Sequence, residues 1–368
     1  MKKMLSLAAM FAVLSYASPA SAELKIGGDA SVRARAEFNA TDPGNNAGDD
    51  LMFQYRLRLN GAADLGDGYF FKTLIMSEDQ NSANAAGGWR TVGGNVANGN
   101  IDAPYSLSVS QVYFGHNMKE CNYKIGRIPL NSFNNPIFDL TLYPSQPLDT
   151  PVNNYGYDRL FGASYGTNLG SGTLSTTLVV LDNASNTVSS AANDGIFNDG
   201  YALSLAYNTT VGKVTIEPQV FAVLTNTTVP LGTKITPLTF GATVATPVNN
   251  SKLSLGGFYT TCNDTNNATS IKSDYSGYLI RVKGESGPFM AWVDYNKTTN
   301  DVAGAATKDY SNTFVWAQYK HVVYKGAAGS FSLQPTLRYR AQTTKNAAGV
   351  ELTDISQVRG EMVATVTF

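Results

Sequence analysis

The chain has 368 residues with 27 Lys and Arg against 28 Asp and Glu, a formal net charge of -1. That balance supplies no surplus of cations for phosphate, so no nucleic-acid partner is expected. Charged residues make up 15% and mean hydropathy is -0.14, with 34 Gly, 20 Tyr and 17 Phe, and no run of 18 apolar residues follows the first segment, which excludes helical membrane spans.

Met1–Ala22 carries Lys2 and Lys3, an apolar run from Met4 to about Ala17, and then Pro19-Ala20-Ser21-Ala22. A charged start, a short apolar stretch and an A-x-A-like ending predict a secretory signal peptide cleaved after Ala22. The remaining 23–368 would form one domain. Removing the two lysines leaves 25 Lys and Arg against 28 acids in the mature chain.

Downstream, sixteen stretches alternate apolar and polar residues with a period of two, the period of a strand. They fall at about 24–38, 51–63, 69–78, 105–116, 123–130, 159–167, 173–183, 199–208, 214–226, 237–248, 253–263, 274–285, 288–298, 310–324, 331–343 and 355–368. Short Gly, Asn and Asp connectors such as Asp64–Gly68, Asn168–Gly172 and Asn249–Lys252 alternate with connectors that are mostly longer. Short turns at one end and long loops at the other predict an all-β, transmembrane, antiparallel up-and-down β-barrel. Sixteen strands are expected, with fourteen or eighteen as the neighbouring even counts. Pro218 and Pro335 fall in apolar rows and predict bulges or strand ends, because proline forfeits a ladder hydrogen bond.

The two faces differ in chemistry. In the first strand Leu24, Ile26, Ala30, Val32 and Phe38 oppose Lys25, Asp29, Arg33, Arg35 and Glu37. In the second, Leu51, Phe53, Tyr55, Leu57 and Leu59 oppose Gln54, Arg56 and Arg58. The fifteenth sets Phe331, Leu333, Leu337 and Tyr339 against Gln334, Arg338 and Arg340, and the last sets Val358, Met362, Ala364, Val366 and Phe368 against Gln357, Arg359 and Glu361. A closed barrel places the last strand beside the first. Seven arginines (Arg33, Arg35, Arg56, Arg58, Arg338, Arg340 and Arg359) then share one interior wall, only partly offset by Glu37 and Glu361. Water tolerates such crowding; a dry core does not.

An alternating last strand ending on an aromatic resembles the closing strand of bacterial outer-membrane barrels. Over its whole mature length the chain resembles the sixteen-stranded bacterial general porins. The resemblance implies an outer-membrane channel for passive diffusion of small hydrophilic solutes and ions, a homotrimer in lipid bilayer and lipopolysaccharide, and no cofactor. It also implies that the third long connector, Asn131–Asp158, folds into the pore. That connector follows Gly126-Arg127-Ile128-Pro129 and contains Pro136, Pro144, Pro147 and Pro151, which stiffen it. Arg127 is counted with the basic wall, and Asp139, Asp149 and Asp158 with the acids that would face it and set a transverse field. A substrate-selective channel for anionic or organic solutes is the alternative; a non-conducting adhesin or a barrel enzyme is further off.

Catalytic residues are few. His116 and His321 are the two histidines, and His321 with Ser311 or Ser330 does not suggest a lipase. Cys121 falls in a short turn and Cys262 near the opposite end of its strand, too far apart for a disulfide.

Overall fold

The structure is a computed structural model that describes residues 23–41, 50–77, 89–91, 107–130, 135–142, 159–182, 200–225, 227–228, 233–234, 236–265 and 272–368. Among them, sixteen antiparallel strands close into one barrel. They are β1 (Glu23–Thr41), β2 (Asp50–Gly66), β3 (Tyr69–Ser77), β4 (Leu107–Asn117), β5 (Cys121–Pro129), β6 (Arg159–Leu169), β7 (Gly172–Asp182) and β8 (Gly200–Val211). There follow β9 (Val214–Thr225), β10 (Leu238–Val248), β11 (Ser251–Thr265), β12 (Lys272–Ser286), β13 (Phe289–Asn300), β14 (Asp309–Tyr319, continued as His321–Gly326), β15 (Gly329–Lys345) and β16 (Glu351–Thr367). Helix α1 (Ile137–Leu142) lies between β5 and β6. The sixteen expected stretches match these strands to within about four residues at every end. The expected signal segment Met1–Ala22 lies outside the described residues.

Each strand pairs with the next in sequence, and β16 pairs with β1 from Asp29↔Thr367 to Thr41↔Ile355. Closure leaves no sheet edge, which is how an all-β chain satisfies its backbone where water is absent. At the seam, Gly28 N donates to Phe368 O at 2.9 Å and Phe368 N donates to Gly28 O at 3.0 Å. Gly28 has to be glycine there, since a Cβ would meet Arg58 O at 2.3 Å and the Phe368 ring at 3.0 Å.

Pro335 acts as expected. The ladder between β14 and β15 breaks between Gln318↔Thr336 and His321↔Leu333, opposite Pro335, and a register shift follows between Val322 and Tyr324. Proline has no N–H to offer the neighbouring strand. Pro218 has a milder effect: pairing of β8 with β9 skips Glu217 and Pro218 without change of register, and no bulge forms at that point.

Most of the long strands carry one row that is apolar and exposed. Val32, Phe53, Phe114, Phe161, Phe240 and Ile280 are all between 46% and 60% accessible. A belt of this size on a closed barrel fits a hydrocarbon solvent, and the opposite row fills the interior.

Candidate pore wall

The register assembles the arginines. Cross-strand pairing sets Arg33 beside Gln54, Arg35 beside Glu361, Glu37 beside Arg359, and Arg338 beside Arg359, all on the inward row of β15, β16, β1 and β2. Glu361 is the hub: its carboxylate lies 2.6 Å from Arg35, 3.0 Å from Arg338 and 3.5 Å from Arg33. Asp29 takes Arg58 at 2.8 Å and Arg56 at 3.7 Å, and Glu37 takes Arg359 at 2.8 Å. Arg340 donates to Gln342. Among these paired groups seven guanidiniums face three carboxylates, an excess of four positive charges at mid-wall, while Glu23, Lys25, Asp64 and Asp50 stand at the ends of the same rows.

Two indoles organise the same wall. The piece Arg90–Thr91 pairs with Tyr55 and Gln54 of β2 and so returns Trp89 to the wall. Its ring lies 4.0 Å from the Arg33 guanidinium carbon and 4.6 Å from that of Arg56. Trp316 on β14 does the same for Arg338 at 4.0 Å and stacks on Trp292 with centroids 4.8 Å apart. Guanidinium over an aromatic face keeps its charge and exchanges part of its hydration for the ring quadrupole. Arg33 and Arg338 are accordingly buried, while the Arg58 side chain is 36% accessible.

Across the bore, α1 rests on the inward rows of β9 to β12. Asn135 starts it by accepting the Ile137 N–H at 3.2 Å, a capping contact. Phe138 packs edge-on against Phe221 at 4.8 Å, and Thr141 Oγ1 donates to Thr239 Oγ1 at 2.6 Å. Ile137, Phe138 and Leu140 join Val179, Ala202, Phe258 and Leu279 in one apolar cluster inside the barrel. Below it, Arg281 forms a two-bonded pair with Asp294, both contacts 2.7 Å.

Several expected positions differ. Arg127 does not join the basic wall: it pairs with Val112 and Phe161 in the outward row, and the inward positions of β5 belong to Lys124, Gly126 and Ile128. Its Nη1 reaches the Val109 carbonyl at 3.4 Å. Asp139 is 2% exposed and acts electrostatically on Arg281, so it is held on its own side of the bore and does not face the basic wall. Asp149 and Asp158 lie outside the described residues. Trp89, Trp316 and the Arg281–Asp294 pair are interior positions that strand periodicity alone did not single out, and the partners of Asp29, already on the polar row of β1, come from the register with β2. Cys121 and Cys262 are free thiols.

The fold and this wall define a closed sixteen-stranded barrel, apolar outside and carrying a basic strip within. No protein-family pattern matches the chain, and no curated protein does. Solved structures share the fold. The outer membrane channel DcaP of Acinetobacter baumannii aligns at 12% identity and TM-score 0.57, covering 96% of this chain and 99% of that one. An anion-selective porin from Comamonas acidovorans aligns at 14% identity and TM-score 0.56, covering 95% and 100%. OmpT, an outer membrane protein of Vibrio cholerae, aligns at 12% identity and TM-score 0.55, covering 96% and 99%.

Proposed function

We propose that this protein is a bacterial outer-membrane channel for passive diffusion of small hydrophilic solutes and ions, with a preference for anions. The observation that carries this is the net positive strip of β15, β16, β1 and β2 inside a closed barrel with an apolar exterior. A strip of like charge in a bore with low-dielectric walls raises the local concentration of the opposite ion. The α1 segment narrows the passage from the other side, through its seat on Phe221 and Thr239. The membrane setting agrees with the fold shared with the outer-membrane channel and porin above. The outward Arg127, in the row of Val112 and Phe161, suits an anionic lipopolysaccharide group or a neighbouring copy in a homotrimer.

Substrate selection is the second reading, and the burial of Arg33 and Arg338 under indoles favours it. Single-channel recording in planar bilayers tests the first reading: stepwise conductance with an anion-directed reversal potential is expected, and a silent bilayer overturns it. Liposome swelling with a panel of solutes separates the two, since a general pore sorts by size and a selective one by chemistry.

A further inference from the structure

A bay of about 470 Å³ opens on the bore beneath α1, bounded by the inward rows of β8 to β12. Its neutral polar lining comes from Asn135, Asn208, Thr215, Gln219, Thr243 and Ser254. The charges on it fall into two groups. Arg281 is closed off by Asp294 at 2.7 Å, and Lys283 by Glu285 at 3.0 Å. Lys252 and Glu217 have no ion-pair partner among the described residues.

Glu217 is held in place without being neutralised. Asn208 Nδ2 donates to its Oε2 at 3.1 Å and Gln219 Nε2 donates to its Oε1 at 2.9 Å. Gln219 Oε1 in turn accepts Asn135 Nδ2 at 2.5 Å, so the carboxylate is tied to the segment that starts α1. Amide donors orient a carboxylate and leave its charge available. Lys252 stands at the short-turn rim of β11, on the opposite side of the bay.

Register gives the spacing. Glu217 is opposite Thr243, Thr243 is opposite Gly256, and Lys252 is four residues from Gly256 along β11. The two Cα atoms are thus two strand spacings apart laterally, about 10 Å, and about 13 Å along the strand. Side chains projecting into the bore keep most of that separation, which is along the strand, so a single amino acid, about 3.5 Å from end to end, is too short to reach both charges and a dipeptide of about 7 Å is better matched.

We infer that this bay binds zwitterionic solutes of dipeptide size, with the carboxylate at Lys252 and the ammonium at Glu217. The hydroxyls and amides between them suit the donors and acceptors of one peptide unit. Among the described residues the bay has no aromatic lining, so the site reads charge and backbone groups in preference to side chains. The inference rests on the bore admitting solutes, as the channel reading requires.

Isothermal titration of the purified, folded barrel in detergent tests it without needing conductance, so a failure here is separable from a failure of the channel reading. The probes are alanylalanine, N-acetylalanine and alaninamide. Alanylalanine is expected to bind, and Lys252→Gln and Glu217→Gln each to weaken it about fivefold, the scale of one ion pair in a hydrated site. N-acetylalanine is expected to respond to Lys252→Gln alone, and alaninamide to Glu217→Gln alone. The charge exchange K252E/E217K, which keeps one cation and one anion in the bay, is expected to restore binding. Equal titration of all three probes, no binding of alanylalanine by the wild-type barrel, or no response to either single variant in barrels with unchanged strand circular dichroism overturns the inference.

Discussion

Arg35 and Glu361 meet at 2.6 Å across the seam between the first and last strands, joining residues 326 positions apart. The same carboxylate also holds Arg338 and Arg33. One acid therefore offsets much of the repulsion in the basic wall. Glu361→Gln leaves three guanidiniums without it and raises the net charge of the wall by one. Breaking a buried pair costs about 3 kcal/mol, so a lowered melting temperature is expected, together with a reversal potential shifted further toward anions. Loss of stability without the shift would separate the structural role of Glu361 from its electrical one.

Neutralising Arg33, Arg35, Arg56 and Arg58 together is expected to move the reversal potential toward cations. These four supply more than half of the seven wall guanidiniums. An unchanged potential in a salt gradient would sink the basic-wall reading.

Trp89→Ala removes the ring under Arg33 and Arg56. Each cation–π contact contributes about 1 kcal/mol, so the expected loss is local order more than global stability. Unitary conductance should rise as the indole leaves the bore, and open-channel noise should rise with it as the two side chains gain rotamers. Trp89→Phe, which keeps an aromatic face, should restore the quiet state.

Phe138→Ala empties the contact with Phe221 at the seat of α1. Truncating a buried phenylalanine costs about 3 to 5 kcal/mol, and the contact it removes is one of those that hold α1 in place. The expected result is a wider channel with higher conductance and a larger cut-off in liposome swelling. Unaltered conductance would show that α1 does not limit the passage.

Cys121 is partly exposed and Cys262 is 2% exposed, both unpaired. A maleimide should label one thiol in the folded barrel and two after denaturation. Equal labelling in both states would contradict the burial of Cys262 on the inward row of β11, where it pairs with Tyr275 of β12.

Strand number, order and closure were legible because alternation survives wherever one row meets hydrocarbon and the other meets water. It fails where the interior is itself apolar. On β5 the inward residue Ile128 is fully buried, and the outward neighbour is Arg127, so the usual assignment of charge to the bore inverts. Trp292, Phe314 and Trp316 are inward for a related reason: arginines and the α1 cluster cover them. A loop that packs into the barrel changes what the inner rows have to be, and its seat is a tertiary fact. The Asp29 contacts lay closer to hand, since that residue was on the polar face of β1; its partners needed the register with β2.

The seam has a consequence for biogenesis. The wall is split between the first two strands and the last two, so the pairs that cross the seam, Arg33 and Arg35 with Glu361 and Glu37 with Arg359, join residues more than 320 positions apart, and loop closure makes such contacts late to form. Until β16 meets β1, Arg33 and Arg35 have no Glu361. An unsealed intermediate would therefore carry mutually repelling guanidiniums, and the event that completes the sheet is also the one that sets the charge of its inner wall. If the proposed channel conducts, its ion preference measured during insertion becomes a clock for barrel closure.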